Sequence, residues 1–558
     1  MAARADEAPT FDLRRLALVL AGVLMLAPVL FACQGASGRP PCPAGVLCLL
    51  YGNGAEPASL DPAQIDGVWE NTIVSEMIVG LTTRDAAGRP MPGVARSWTT
   101  SADGLTWTFH LRKALWSDGT PVTAADFVYG VRRVLDPRTA SFSAFILYPI
   151  LKNAEAVNAG KLPASAAGIE AKGPRTLVLH LAHPWPNLLI YTSTRVLWPA
   201  PRQAVRRWGD AWTRPGHYVS DGPYTLVSWR LGDKVVLRKN PRFWDAAHVC
   251  YGEVDFFPSA DAISNERRVR SGELDLSTVV QSNRLAFLRR SGMASYLRVA
   301  PEWGVTYLVF NLDVPALRDV RVRQALSMAI DRKFITGKLL RGGQTPAYSL
   351  VPRGMAGYPH GPRAYWASWP LARRQAEARR LLAAAGYGPQ HPLKLVVKHR
   401  NSADPMLFLP SVQADWRSVG VDAQLEQNDV QVAYQEYEVH DFQVGDAGWL
   451  SEDPMVYLDL ARSDTGGQNY GDYVNHAYDA ELDAALAAAD PAVRAQHMRA
   501  AETMLLADAP VAPLYFIASH ELVNPAITGW VDNPIDTHQV RWLCRNPAPP
   551  PSLAAAAP

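Results

Sequence analysis

The 558-residue chain contains no CxxC pair, and its 13 histidines are scattered. The nearest approach to a zinc-protease helix, His520-Glu521-Leu522-Val523-Asn524, lacks the second His of HExxH. No metal is expected. GxSxG elbows, Walker loops and GxGxxG fingerprints are also absent, so neither a cofactor nor catalysis is expected. Charge of one sign is missing too: 55 basic against 53 acidic side chains leave a formal charge of +2. That balance excludes the basic stripe of a nucleic-acid binder. Beyond the N-terminus no apolar run nears the roughly 20 residues that span a bilayer.

What is present begins with an export signal. Arg14 and Arg15 precede an apolar run from Leu16 to Phe31. It ends in Leu30-Phe31-Ala32-Cys33, a sequence like a bacterial lipobox, although Phe31 is large for its position. The expectation is a signal peptide over 1–32, lipidation of Cys33 and a tether over 33–47 that holds the chain at the extracytoplasmic face of a bacterial membrane. Four cysteines remain, Cys42, Cys48, Cys250 and Cys544. An oxidising compartment allows them to pair, and three pairings are open. The Pro- and Ala-rich end, 547–558, reads as a disordered tail.

The body is too long for one hydrophobic core, since single cores stop growing near roughly 250–300 residues. Short strands alternate with amphipathic helices, giving an α/β reading. Thr106–Arg112 alternates with period two and places Trp107, Phe109 and Leu111 on one core face. Ser117-Asp118-Gly119-Thr120-Pro121 is turn chemistry. Thr123 caps a helix that buries Phe127, Val128 and Val131, and Asp319 caps another that buries Val322, Leu326, Ala329 and Ile330. Gly386 stops a third. Residues 479–506 give one or two more helices, followed by a strand through Tyr515 and Phe516. Seventeen Trp suit both cores and ligand-gripping pockets.

Six segments then occur in a telling order: EPASLDPAQIDG (56–67), WTFHLRKALWSDGTPVTAADFVYGVRRVLDP (107–137), DGPYTLVSWRLGDKVVLRKNPRFWD (221–245), RSGELD (270–275), DVRVRQALSMAIDR (319–332) and GWLSEDP (448–454). Together they resemble the extracellular solute-binding proteins of peptide ABC importers, across about residues 50–545. The resemblance implies a two-lobed periplasmic-binding-protein fold of the peptide-binding type, with an extra domain and a two-strand hinge near 300–306 and 508–514. It implies domain I over 48–78, 201–304 and 511–546, domain II over 79–200 and domain III over 305–510. It also implies a monomer whose partners are an oligopeptide ligand and the permease subunits of an ABC transporter.

Such a receptor must hold what all peptides share, an α-ammonium and a backbone. In peptide-binding relatives an Asp three residues after a Gly-Trp pair holds the amine. Here that position is Glu452. The following spacer is shorter than in relatives, so Asp453 could take the role instead, and the choice between the two stays open. Both acids would otherwise form a solvated turn before a helix. Gly448 and Leu450 would act through their backbone groups, and Trp449 by packing and contact. Asp66 and Val68 match a loop lining the site, Ser143 falls where an aromatic hydroxyl is offered, and Tyr515 and Phe516 lie on the strand leaving the hinge. Asp446 stands where a relative has an Arg suited to a ligand carboxylate, and Val430 where it has a Trp. Asp446 either favours a more cationic ligand or pairs with an unlocated Arg.

Overall fold

The computed structural model describes residues 39–65 and 67–546. The signal segment, Cys33, Asp66 and the 547–558 tail lie outside these residues.

Local chemistry explains the elements that frame the cleft. In Thr106–Leu111, Trp107, Phe109 and Leu111 are buried while their neighbours are only partly covered. This strand lies in an antiparallel four-stranded sheet with Ala95–Thr100, Thr176–His180 and Ile169–Ala171. The helix Ala124–Leu135 packs against it through Phe127, Val128 and Val131. At the start of this helix, Asp126 Oδ2 accepts from the backbone N–H and hydroxyl of Thr123, each at 2.8 Å. Asp319 accepts from Arg321 N at 2.8 Å and starts Val320–Ala329. Gly386, at φ +91°, follows the end of Leu371–Ala384 in the left-handed conformation that a side chain would strain. The Ala- and Leu-rich region forms two helices, His476–Ala487 and Pro491–Asp508. They are separate because Asp490 and Pro491 begin a new one, with Asp490 accepting from Ala492 N at 2.7 Å.

An 11-stranded mixed sheet runs through the molecule. Val421–Asn428, Leu393–Arg400 and Val444–Leu450 form one end. Leu276–Ser277, Cys48–Gly52, Glu253–Phe257, Lys234–Lys239 and Tyr224–Arg230 form the other. Between them stand the two longest strands, Leu297–Phe310 and Val511–Val523, paired antiparallel, and the short eleventh strand, Thr345–Pro346, pairs with the second of them. Separate apolar cores lie on either side. One joins residues 49–276 to the 523–543 segment, two others lie among residues 305–515, and a smaller one gathers Leu50, Phe257, Leu285 and Leu522. The chain enters the second region along the first long strand and leaves it along the other.

The long pair is irregular at its middle. Pro301 pairs with Ala518, but the next partners are Val305 and Phe516, so residues 302–304 stand outside the ladder. Gly304 lies close to neighbouring side chains in this stretch: a Cβ there would come within 2.4 Å of Ile517 Cδ1 and 2.8 Å of Leu450 Cδ2, so both side chains would have to move.

The cysteines pair as Cys42–Cys48 and Cys250–Cys544, with Cα atoms 6.0 and 5.3 Å apart. The second pair bridges 294 positions of sequence and ties the C-terminal segment to the first core's side. Replacing Cys250 and Cys544 together by Ser is expected to lower the unfolding free energy by about 2–5 kcal/mol, read from denaturant titration.

Candidate functional site

A cavity of about 410 Å³ opens where these segments meet. Its walls come from the helix start at Val68, the 190–196 turn, the bulge at Glu302 and Trp303, the 450–453 turn and the loop 534–539. Trp303 N donates to Pro534 O at 2.7 Å, fixing the bulge against that loop. The volume is within the range of small-molecule sites, about 300–1,000 Å³.

The 450–453 turn is built from its own sequence. Asp453 caps the helix Pro454–Asp459, its Oδ1 accepting from Met455 N at 3.0 Å, and Pro454 fits the first helical position. Ser451 N donates to the Tyr457 hydroxyl at 2.9 Å, and that hydroxyl donates to Trp303 O at 2.9 Å. The turn is thereby locked to the bulge.

The two acids meet different partners from across the cavity. Asp453 is 1% exposed, and its Oδ2 accepts from Trp185 Nε1 at 3.0 Å and from the Tyr191 hydroxyl at 3.4 Å. Glu452 lines the cavity with its side chain 25% exposed and forms a two-pronged ion pair with Arg84, one bond being Nη2 to Oε1 at 2.7 Å. Arg84 is itself buried and also donates to Gly88 O at 3.0 Å. Arg494, from the helix Pro491–Asp508, lies over the Trp185 ring at 5.1 Å. Burial pushes the Glu452 carboxyl above the ordinary range, opposed by Arg84 and aided by Asp453. Arg84, Glu452 and Asp453 together sum to a formal charge of −1 in their ionised forms.

Val68 is 72% exposed and lines the cavity, as does Leu450 at 55%. Ser143 is buried behind the wall, its hydroxyl accepting from Arg195 Nη2 at 2.8 Å, and Arg195 lines the cavity. Asp446 is fully buried. It accepts from Arg400 N, Nε and Nη2 at 2.7, 2.9 and 2.7 Å. Arg400 is thus the cation the sequence did not locate, and Asp446 faces it rather than the cavity. Gly448 and Trp449 lie in register with Thr306 and Val305. Trp449 and Phe516 are half-buried against one core. Tyr515 is buried and, with Arg400, Thr306 and Asp404, lines a second cavity of about 380 Å³. Val430 is the first residue of the helix Val430–Glu438 and is partly exposed.

Sequence reasoning missed Arg84, Trp185, Tyr191, Glu302 and Asp536. Arg84 ends a three-residue strand, Thr82–Arg84, and Asp536 sits in a loop, so neither belongs to a periodic pattern or a spaced motif.

Two predictions test this geometry. Arg84→Ala leaves Glu452 without its donor, a loss of about 1–3 kcal/mol for the contact between the two faces. Small-angle scattering of the ligand-free variant should show a larger radius of gyration than wild type. Burial also lifts the cavity acids Glu76 and Glu302, each to about 7. A carboxyl raised on folding stabilises fully below its unfolded value and loses that contribution as pH climbs through the folded one. The thermal midpoint without ligand should therefore be higher near pH 5 than near pH 8, and Glu302→Gln should flatten the difference.

The family described as bacterial extracellular solute-binding proteins, family 5 Middle, matches residues 89–469. The chain is 33% identical over 549 residues to the periplasmic oligopeptide-binding protein OppA of Salmonella typhimurium, covering 95% of this chain and 99% of that protein. It is 33% identical to the periplasmic murein peptide-binding protein MppA of Escherichia coli, covering 88% of this chain and 91% of that one. The structure of Burkholderia pseudomallei OppA superposes with a TM-score of 0.77 at 33% identity, covering 90% of this chain and all of that one (100%).

Proposed function

The chain belongs to the family-5 bacterial extracellular solute-binding proteins, and we propose that it captures oligopeptides between two lobes outside the cytoplasm and hands them to an ABC importer. Binding rather than catalysis is the activity of this family, and the two-lobed fold is shared with its structural neighbours. The relatives' names supply the peptide reading, and the charge of the cleft supports it. One guanidinium stands against two adjacent carboxylates, so the turn at 452–453 keeps a net attraction for a cationic end group.

Glu452 is the better anchor for the ligand's α-ammonium. Both oxygens of Asp453 are already engaged, in the helix cap and with Trp185, and the residue is only 1% exposed where it borders the cavity. Glu452 faces the cavity, and each of its oxygens accepts one bond from Arg84, leaving further lone pairs for an ammonium. Asp453 adds negative potential from behind. Val68 and Leu450 offer backbone groups at the rim, where each bond to a peptide contributes about 1 kcal/mol net. Micromolar affinity requires about −8 kcal/mol in total, so backbone bonds and one charge pair have to be joined by burial of the ligand's side chains.

In this reading the hinge lies on the two long strands. Domain II over 79–200 supplies Arg84, Trp185 and Tyr191, and domain III over 305–510 supplies Glu452 and Asp453. Closure then assembles the site, and the ligand favours the closed state because only that state touches it on both faces. Export by the N-terminal signal and a lipid on Cys33 complete the reading. The equal identity to MppA favours murein peptides as a second ligand class.

Calorimetry tests the anchor. Glu452→Ala should weaken free-amine peptides by about 2 kcal/mol or more, and N-acetylation of the peptide should cost wild type a similar amount. Equal affinity for acetylated and free peptides would remove the anchoring role. A murein tripeptide in the same titration separates the two ligand classes.

A further inference from the structure

A second part of the cavity wall is acidic, and no Lys or Arg forms an ion pair with it among the described residues. Glu302, lifted out of the ladder by the bulge, lines the cavity and has no hydrogen-bond or ion-pair partner among the described residues. Asp536 lines it from the facing loop, with the His538 ring nitrogen at 3.1 Å as its basic neighbour. Behind them Glu521 is 1% exposed; its carboxyl lies against that of Asp536, and its Oε1 has no donor. Asp532 faces the same group while accepting from Trp530 Nε1 at 2.9 Å. Tyr51 lines the cavity, and after burial itself the charges of Asp536, Glu76 and Glu521 raise its hydroxyl above the ordinary range.

Glu76 gives an independent sign. It is 1% exposed and lines the cavity. Its Oε1 accepts from Val540 N at 2.7 Å, while Oε2 has no donor. Arg541 is the cation whose field reaches it. A nearly sealed carboxylate oxygen at a cavity wall without a donor is costly unless something entering the cavity supplies one. Without a cation the cluster meets that cost by holding protons: burial and Asp536 push Glu521 up to about 10.

We propose that Glu302, Glu521 and Asp536, with Glu76 and Tyr51 beside them, form a subsite for a second cationic group of the ligand, a Lys or Arg side chain of the bound peptide, distinct from the amine position at Glu452. The subsite rests on the peptide reading above and narrows it to basic peptides. The two positions share one frame, because the Tyr457 hydroxyl joins Ser451 to Trp303 O between Glu452 and Glu302.

The test is a titration series with tetra-alanine, the four peptides carrying one Lys, and the four with norleucine in its place. Norleucine keeps the alkyl stem and removes the charge. At one or more positions Lys should bind about tenfold tighter than norleucine, the size expected for a desolvated charge pair. Glu302→Gln and Glu521→Gln should each cut that ratio to about twofold or less, since each removes a charge while keeping the shape. Gln at 521 has the shape of the protonated Glu521 and can still donate to Asp536, so this variant should fold about as stably as wild type. Glu452→Ala should weaken both members of a pair together and leave their ratio. Equal binding of Lys and norleucine peptides at every position would overturn the subsite while leaving the peptide reading intact. A Lys preference that survives both Gln variants would overturn it as well. No binding by any of the nine peptides would overturn the peptide reading and the subsite with it.

Discussion

A carboxylate withdrawn from water has to be met by a cation, by hydrogen-bond donors or by a proton. Each acid around this cleft meets that demand differently, and the differences set what each can do. Asp446 is closed off by three donors of Arg400 and has no capacity left for a ligand. Asp453 is satisfied by a helix start and an indole, so it contributes field rather than contact. Glu452 is met by Arg84 from the opposite face and still borders open space. Glu302 has no such partner among the described residues.

This arrangement depends on two backbone facts. The two long strands are the shared element between separate cores, so the faces of the cleft can change their spacing without breaking either core. The bulge at 302–304 turns part of one strand from a ladder into a cavity wall. A side chain at Gly304 would displace those of Ile517 and Leu450. The cation at residue 84 and the acid at residue 452 are 368 positions apart and belong to opposite faces. On the proposed division into lobes, their pairing reports on closure.

The local elements were legible. Period-two burial at Trp107, Phe109 and Leu111, the starts at Thr123 and Asp319 and the stop before Gly386 all follow from a few neighbouring residues. The family order of segments carried the fold class as well. The GWLSEDP turn was legible as a helix start and as a place where acids gather. Its two readings differed by one residue, and only the packing of Trp185 on Asp453 and of Arg84 on Glu452 gives the neighbouring acids different surroundings.

The sequence by itself determined segment chemistry: capped helices, alternating strands, an even set of four cysteines after Cys33 and a cluster of acids beside a Trp. Tertiary structure decided every pairing at long range: Arg400 with Asp446, Cys250 with Cys544, Arg84 with Glu452, and Glu521 against Asp536. The physical reason is range. Caps and periodicity act over three or four residues, whereas a charge or a thiol finds its partner through space, and which one it reaches depends on how separate cores are held together.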